Sequence, residues 1–336
     1  MGKRDMAELT QMRIVSIGDL ERNLGVRRWP RYIRACEMVF QDRLRRIALD
    51  IQNRQNVRAV FISGPTASGK TTFTHRLAAR LQALGHTVHI ISLDDYYLTT
   101  TIAYDQDGRP DFESIHTLDT RQIVSNFADL LAGKMVQLPT FDFIGRRRLY
   151  APEKQIQLSR DDLILIEGLH GLSSEIAGHF AHEQYYGIFI MPWCTLLDGR
   201  QLLGSRDLRM LRRISRDVQH RGSTALSTID YWPMIDRTEQ RFFPRYLAAA
   251  DAYINSALPY EFSVIAPLAS RFLRASLESW QNGTLAGSVY RKDRDGYADL
   301  ASSVEAARDL LAACARIPET DRSLIPEDSI LNEFVH

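Results

Sequence analysis

The 336-residue chain carries 42 Lys and Arg against 41 Asp and Glu, a balance that argues against a nucleic-acid partner. Hydrophobic residues make up 45% and charged residues 25%, as in an ordinary globular protein, and no apolar run is long enough to span a bilayer or to follow the charged N-terminus as a signal peptide. Three cysteines, Cys36, Cys194 and Cys314, lie far apart without a CxxC spacing, which excludes an evident disulfide framework or zinc site and fits a reducing cytoplasm.

Residues 1 to about 25 read as weakly structured. Arg31 to Gln52 follows a helical period, with Ile33, Cys36, Phe40, Leu44, Ile47 and Ile51 on one face. The pattern then alternates. Val57 to Ser63 reads as a strand, Lys70 to Leu84 as a helix and His86 to Leu93 as a strand. Arg121 to Ala132 reads as a helix, and Asp162 to Glu167 and Tyr186 to Met191 as buried strands. Arg206 to Gln219 is a basic helix and Ala252 to Asn255 a last short strand. Such alternation predicts an α/β fold with a parallel sheet. The tail from Glu261 to Leu311 reads as helical, with a break near Gly283 to Gly287. The expected division is an N-terminal extension and packing helix over 1–55, a nucleotide-binding domain over 56–270 and a helical tail over 271–336.

The segment Gly64-Pro65-Thr66-Ala67-Ser68-Gly69-Lys70-Thr71 matches GxxxxGK[ST] between a predicted strand and a predicted helix. Glycines let backbone N–H groups turn inward around phosphate oxygens, and the helix N-terminus adds partial positive charge. Gly64, Thr66, Ala67, Ser68, Gly69, Lys70, Thr71 and Thr72 are therefore expected to hold a nucleotide. Lys70 would reach the terminal phosphates and the Thr71 hydroxyl would ligate Mg²⁺. No NKxD motif follows, which speaks against a GTPase.

Two carboxylate positions and an arginine helix suggest phosphoryl transfer. Glu167 ends the apolar strand Asp162 to Glu167, where such proteins keep an acid for the metal. Asp94 follows the second strand in Ser92-Leu93-Asp94-Asp95-Tyr96-Tyr97 and is placed to take a proton from an attacking hydroxyl. Asp94 and Asp95 could equally cap the next turn. Arg206, Arg209, Arg212, Arg213 and Arg216 recur at steps of three and four, with Arg221 just beyond. Arginines on a closing lid could neutralise transferring charge. Trp193, Tyr231 and Trp232 read as packing residues, and His170 is given no role.

Taken in order, GPTASGKTTF, SLDDYY, DFESIHTLD, LPTFDFIGRRR, LILIEGLHGL, LRRISRDVQHRG, AADAYINSALPYE and SLIPEDSILNEF resemble the uridine kinase and phosphoribulokinase family of P-loop kinases. The likeness is greatest to its bacterial uridine-kinase-like branch and runs from about residue 35 to 335. The resemblance implies a five-stranded parallel sheet flanked by helices, with a helical lid and a small β-hairpin. The Asp107-Gly108 pair between Tyr104 and Asp111 has the turn chemistry for part of that hairpin. It implies ATP and Mg²⁺ as cofactors, a nucleoside or related alcohol as small-molecule acceptor, and self-association as homo-oligomers. It also implies residue roles: Asp94 as base, Glu113 on ribose hydroxyls, and Tyr97, Phe141 and Phe143 around the acceptor. Arg213, Arg216 and Arg221 would touch phosphate or substrate, and Glu167 would stand on the magnesium side.

The chain departs from that family at two acceptor-side positions. Arg146 stands where uridine-cytidine kinases carry a base-reading histidine, and Ser223 replaces an arginine. The expected reaction is transfer from ATP to a nucleoside, uridine first. A sugar, phosphosugar or pantothenate-like acceptor on the same fold is the alternative, and a nucleotide-binding regulator is a third.

Overall fold

The computed structural model describes residues 12–99, 102–142, 145, 147–291 and 295–335. In chain order these form β1 (Arg13–Ser16), α1 (Ile17–Asn23), α2 (Arg28–Gln52), β2 (Ala59–Ser63), α3 (Lys70–Ala83), β3 (Val88–Ser92) and α4 (Thr120–Leu131). Four short strands follow, β4 (Val136–Gln137), β5 (Thr140–Asp142), β6 (Arg147–Leu149) and β7 (Gln155–Ile156), and then β8 (Leu163–Glu167) and β9 (Tyr185–Met191). The rest is β10 (Cys194–Asp198), β11 (Arg200–Gly204), α5 (Ser205–His220), α6 (Ala225–Ala249), β12 (Ala252–Asn255), α7 (Phe262–Gln281), α8 (Leu300–Cys314) and α9 (Asn332–Val335).

The central sheet has five parallel strands in the order β12-β9-β2-β8-β3. Its inner strands read as unbroken apolar runs because helices cover both faces. The pleat sends alternate residues to opposite sides. Val60 and Ile62 join one core with Leu44, Phe73, Leu211 and Ile265, while Ala59 and Phe61 join a second with Ile123, Phe127 and Phe180. The helix α6 serves both, through Trp232 near its start and Phe242 and Tyr246 near its end.

β8 lies between β2 and β3, so the chain skips a position after its first sheet strand. That crossover leaves the crevice at the carboxyl ends of β2, β8 and β3 in which α/β sheets hold ligands. Register brings Ser92 opposite Glu167 and Ile62 opposite Glu167, setting three strand ends side by side.

Three sequence expectations change. Residues before 25 are ordered from β1 onward, and Ser16 and Asp19 form a capping box at α1: Asp19 N–H donates to Ser16 Oγ at 3.0 Å and Ser16 N–H to Asp19 Oδ2 at 2.9 Å. β1 is held by parallel pairing to β10, a contact far along the chain. The Asp-Gly segment gives a single antiparallel bridge, Tyr104 to Pro110, because Asp105 Oδ1 gathers the Asp107 and Arg109 N–H groups instead. The small hairpin is β5–β6, pairing Phe141 with Arg148. The tail break is longer than Gly283 to Gly287: α7 ends at Gln281 and α8 begins at Leu300.

The arginine helix α5 packs against α6 and α7. Arg209, Arg212 and Arg213 are 1%, 0% and 4% exposed, while Arg206 at its start is exposed. Arg206 and Arg209 pair with Asp236 and Glu239 of α6, and Arg212 with Glu261 at the start of α7. Helical spacing put these charges on one side, but opposite charges on two neighbouring helices made that side internal.

Candidate active site

The turn after β2 must bring backbone close to β9 and then start α3. A Cβ on Gly64 would sit 2.2 Å from the Ile190 carbonyl oxygen, so only glycine fits there. Gly69 has φ +86° and Ala67 φ +56°, the left-handed geometry that aims successive N–H groups into one concavity. Lys70 opens α3 and its Nζ donates to the Pro65 carbonyl at 2.9 Å, across the mouth of the loop. Arg212 braces the loop from behind, donating to the Ala67 carbonyl at 3.3 Å. Ser68 Oγ is buried without a hydrogen-bond partner among the described residues.

Thr71 is exposed, and its hydroxyl donates to Glu167 Oε1 at 3.5 Å; Ser92 Oγ donates to the same oxygen at 2.9 Å. Burial, and then the neighbouring Asp94, push the Glu167 carboxyl above its ordinary value against the pull of Lys70. Burial likewise raises Asp94, opposed by Lys70, Arg221 and Arg216 and reinforced by Glu113. These groups share one field, and a cation beside the two carboxylates would favour their charged forms. Among the described residues no group of three or more His, Cys, Asp or Glu side chains forms a metal cage. A hydroxyl and a carboxylate of hard oxygens instead suit a Mg²⁺ ion that also takes phosphate and water.

Asp94 and Asp95 are now separable. Asp95 accepts from the Phe141 N–H at 2.9 Å and from Lys154 Nζ at 3.4 Å, so it fastens the β5–β6 hairpin to the turn after β3. No hydrogen bond ties the Asp94 carboxylate among the described residues. Across from it, Glu113 accepts from Arg213 Nη1 at 3.3 Å, and its carbonyl accepts from His170 Nε2 at 2.7 Å. Tyr97 and Phe141 stand with ring centroids 5.5 Å apart beside this acid pair. Phe143 and Arg146 lie outside the described residues.

Asp217 organises the remaining arginines, a residue that sequence reasoning passed over. It accepts from Arg213 Nε at 3.1 Å and Arg216 Nε at 2.8 Å, and Arg221 Nε lies 3.6 Å away. Burial alone would raise its carboxyl, but Arg216, Arg213 and Arg221 outweigh it and hold Asp217 well below the usual carboxylate range. Arg213 Nη1 also donates to Thr66 Oγ1 at 3.0 Å, linking the phosphate loop to Glu113. The Arg213-x-x-x-Asp217 spacing was the available signal.

The sequence model of the Phosphoribulokinase / Uridine kinase family matches residues 59–259, more than half of the chain. The chain belongs to this family. It is a P-loop phosphotransferase. It is 28% identical to a uridine kinase of Macrococcus caseolyticus over 177 residues, 52% of this chain and 76% of that one. A uridine kinase of Staphylococcus aureus strain JH9 is 27% identical with the same coverage. Among solved structures, a possible uridine kinase from Bacillus stearothermophilus superposes with a TM-score of 0.44 at 20% identity, covering 64% of this chain and 98% of that one.

Two side chains from beyond the family match also reach the phosphate loop and its arginines. Tyr290, in the break after α7, accepts from Arg213 Nη2 at 3.1 Å. Glu333, in α9, accepts from Thr72 Oγ1 at 3.2 Å and stands 4.0 Å from Arg216. Beside it Ile330 covers Gly69, where a Cβ would come within 2.5 Å of Ile330 Cδ1. Glu333 falls in the family-like segment SLIPEDSILNEF but reaches Thr72 only across 261 residues, and Tyr290 meets Arg213 across 77, so neither placement could be read from spacing.

Proposed function

We propose that this phosphotransferase moves the terminal phosphoryl group of ATP to a hydroxyl of a nucleoside, with uridine as acceptor. The supporting observation is the division of labour after β3: Asp95 is tied to the hairpin, while Asp94 stands beside Lys70 and across from Glu113. In this reading the backbone of Gly64 to Lys70 and the Thr72 hydroxyl hold the donor phosphates, and Lys70 neutralises them. Thr71 and Glu167 hold Mg²⁺, which when bound screens the phosphate charge. Asp94 accepts the proton of the attacking hydroxyl at its carboxylate oxygen. Glu113 fixes the neighbouring sugar hydroxyls, and Tyr97 and Phe141 line the base. Arg213 and Arg216 offset charge at the transferring phosphate.

A phosphorylated or carboxylated alcohol is the second reading. Arg221 favours it, because its positive charge is felt at both Asp94 and Tyr97. The test is ADP release with uridine, cytidine, purine nucleosides and anionic sugars in turn. Uridine giving the highest kcat/KM supports the proposal; stimulation by an anionic alcohol alone replaces it with the second reading. Hydrolysis that no alcohol stimulates overturns both.

A further inference from the structure

Arg213 has two ways to meet Asp217. A guanidinium facing a carboxylate normally docks side-on, with two parallel N–H···O bonds. Here only Nε reaches Asp217 directly, at 3.1 Å to Oδ2. The second position is intercepted: Arg213 Nη2 donates to the Tyr290 hydroxyl at 3.1 Å, and that hydroxyl donates to the same Oδ2 at 3.0 Å. Nη1, at the opposite edge of the guanidinium, donates to Thr66 Oγ1 at 3.0 Å and Glu113 Oε1 at 3.3 Å. The Tyr290 oxygen thus holds Nη2 off Asp217 and sets how far Nη1 extends into the space between phosphate loop and acceptor side.

The phenol is itself held in place. Its ring stacks on Tyr231 with centroids 4.3 Å apart and planes 15° from parallel. Tyr231 is fully buried and pinned through its hydroxyl, which donates to the Pro110 carbonyl at 3.0 Å and accepts from the Phe112 N–H at 3.2 Å. The Arg213 carbon Cζ lies 5.5 Å and 5.4 Å from the Tyr231 and Tyr290 ring centres, so the cation sits within reach of the stacked pair. Ser288, fully buried, anchors the segment through its N–H to the Gly296 carbonyl at 2.9 Å and through Oγ, which accepts from the Tyr290 N–H at 3.3 Å. This segment lies outside residues 59–259, so the family match does not carry it.

We propose that Tyr290 is a positioning residue for phosphoryl transfer: its hydroxyl holds the Arg213 guanidinium in the orientation that bridges the phosphate loop and Glu113. The proposal rests on the reading of Arg213 as a group that meets the transferring phosphate. Stabilising a transition state needs the charge already in place, so a guanidinium free to rotate onto Asp217 loses rate before it loses substrate affinity.

The test variant is Tyr290→Phe, which keeps the ring stack and removes only the hydroxyl. With whichever alcohol the wild type phosphorylates best, kcat should fall about tenfold while KM for ATP stays within about twofold. In an Arg213→Ala background the same substitution should change kcat by less than about twofold, because its target is gone. Binding of Mg·ADP with aluminium fluoride, a mimic of the transferring phosphoryl group, should weaken about tenfold in Tyr290→Phe while Mg·ADP binding is unchanged. That last measurement needs no acceptor, so it separates a failure of this proposal from a wrong choice of substrate. A Tyr290→Phe enzyme with wild-type kcat and wild-type affinity for the mimic overturns the proposal. So does an equal fractional loss with and without Arg213, which would make Tyr290 a fold element only.

Discussion

The pair Arg212–Glu261 offers the sharpest perturbation. Both side chains are fully buried, and they meet fork to fork, Nε to Oε2 at 2.7 Å and Nη2 to Oε1 at 2.9 Å. The Glu261 carboxylate has one further donor, the Leu258 N–H at 2.7 Å, while Arg212 also donates to the Ser256 and Ala67 carbonyls at 2.9 Å and 3.3 Å. Burial holds Glu261 above its ordinary pKa against the pull of Arg212, and a buried pair of this kind is in general close to break-even against an uncharged core. Arg212→Met strands a buried carboxylate with one neutral partner and should destabilise the fold by about 3–5 kcal/mol. Arg212→Met with Glu261→Gln keeps an acceptor for Leu258 and removes the charge, and should recover at least half of that loss. Neither variant braces Ala67, so ATP affinity should remain weakened in both. Urea unfolding followed by circular dichroism, compared at constant slope, gives the stabilities, and calorimetric titration gives the affinity. A single variant that loses under about 1 kcal/mol, or a double variant no more stable than the single, refutes the argument that the unpaired charge dominates.

Asp94→Asn should lower kcat about a hundredfold with ATP binding intact, and Asp95→Asn should act mainly on the hairpin through its Phe141 bond; a milder effect at Asp94 than at Asp95 would reverse the assignment. Burial holds His170 neutral down to a pKa of about 4 against 6.5 for the free side chain, so between those values the unfolded chain binds more protons. Stability should therefore drop by about 3 kcal/mol as pH falls through that window, and His170→Asn should flatten the dependence in urea titrations at pH 7.5 and 4.5. Matching slopes in the two proteins would remove His170 as the cause. Glu333 brings a negative charge to Thr72 at the phosphate loop, so Glu333→Gln should tighten ATP binding severalfold in calorimetry. Weaker binding in that variant would mean that the carboxylate supports the loop instead.

Local chemistry was enough for the sheet strands and for the phosphate loop. Unbroken apolar runs such as Leu163–Glu167 can only be covered on both faces, and Gly64 and Gly69 stand where the backbone must approach β9 or turn left-handed. The family motifs carried Asp94, Glu113, Glu167 and Arg213 on top of that. What spacing could not show was partnership. The Ser16–Asp19 capping box lies in a segment that reads as weakly structured, and β1 exists only because β10 pairs with it some 180 residues later. A period of three and four aligned the α5 arginines, but Glu239, Glu261 and Asp217 divided them into structural and site-facing groups. Tyr290 sits in no motif, and Glu333, though inside SLIPEDSILNEF, is given no role there. Their reach into the site comes from tertiary packing that closes the tail over the phosphate loop, where Ile330 meets Gly69 and Tyr290 stacks on Tyr231. Motifs record what a backbone segment can do alone; which charge is left to face a substrate is decided by the neighbours that folding supplies.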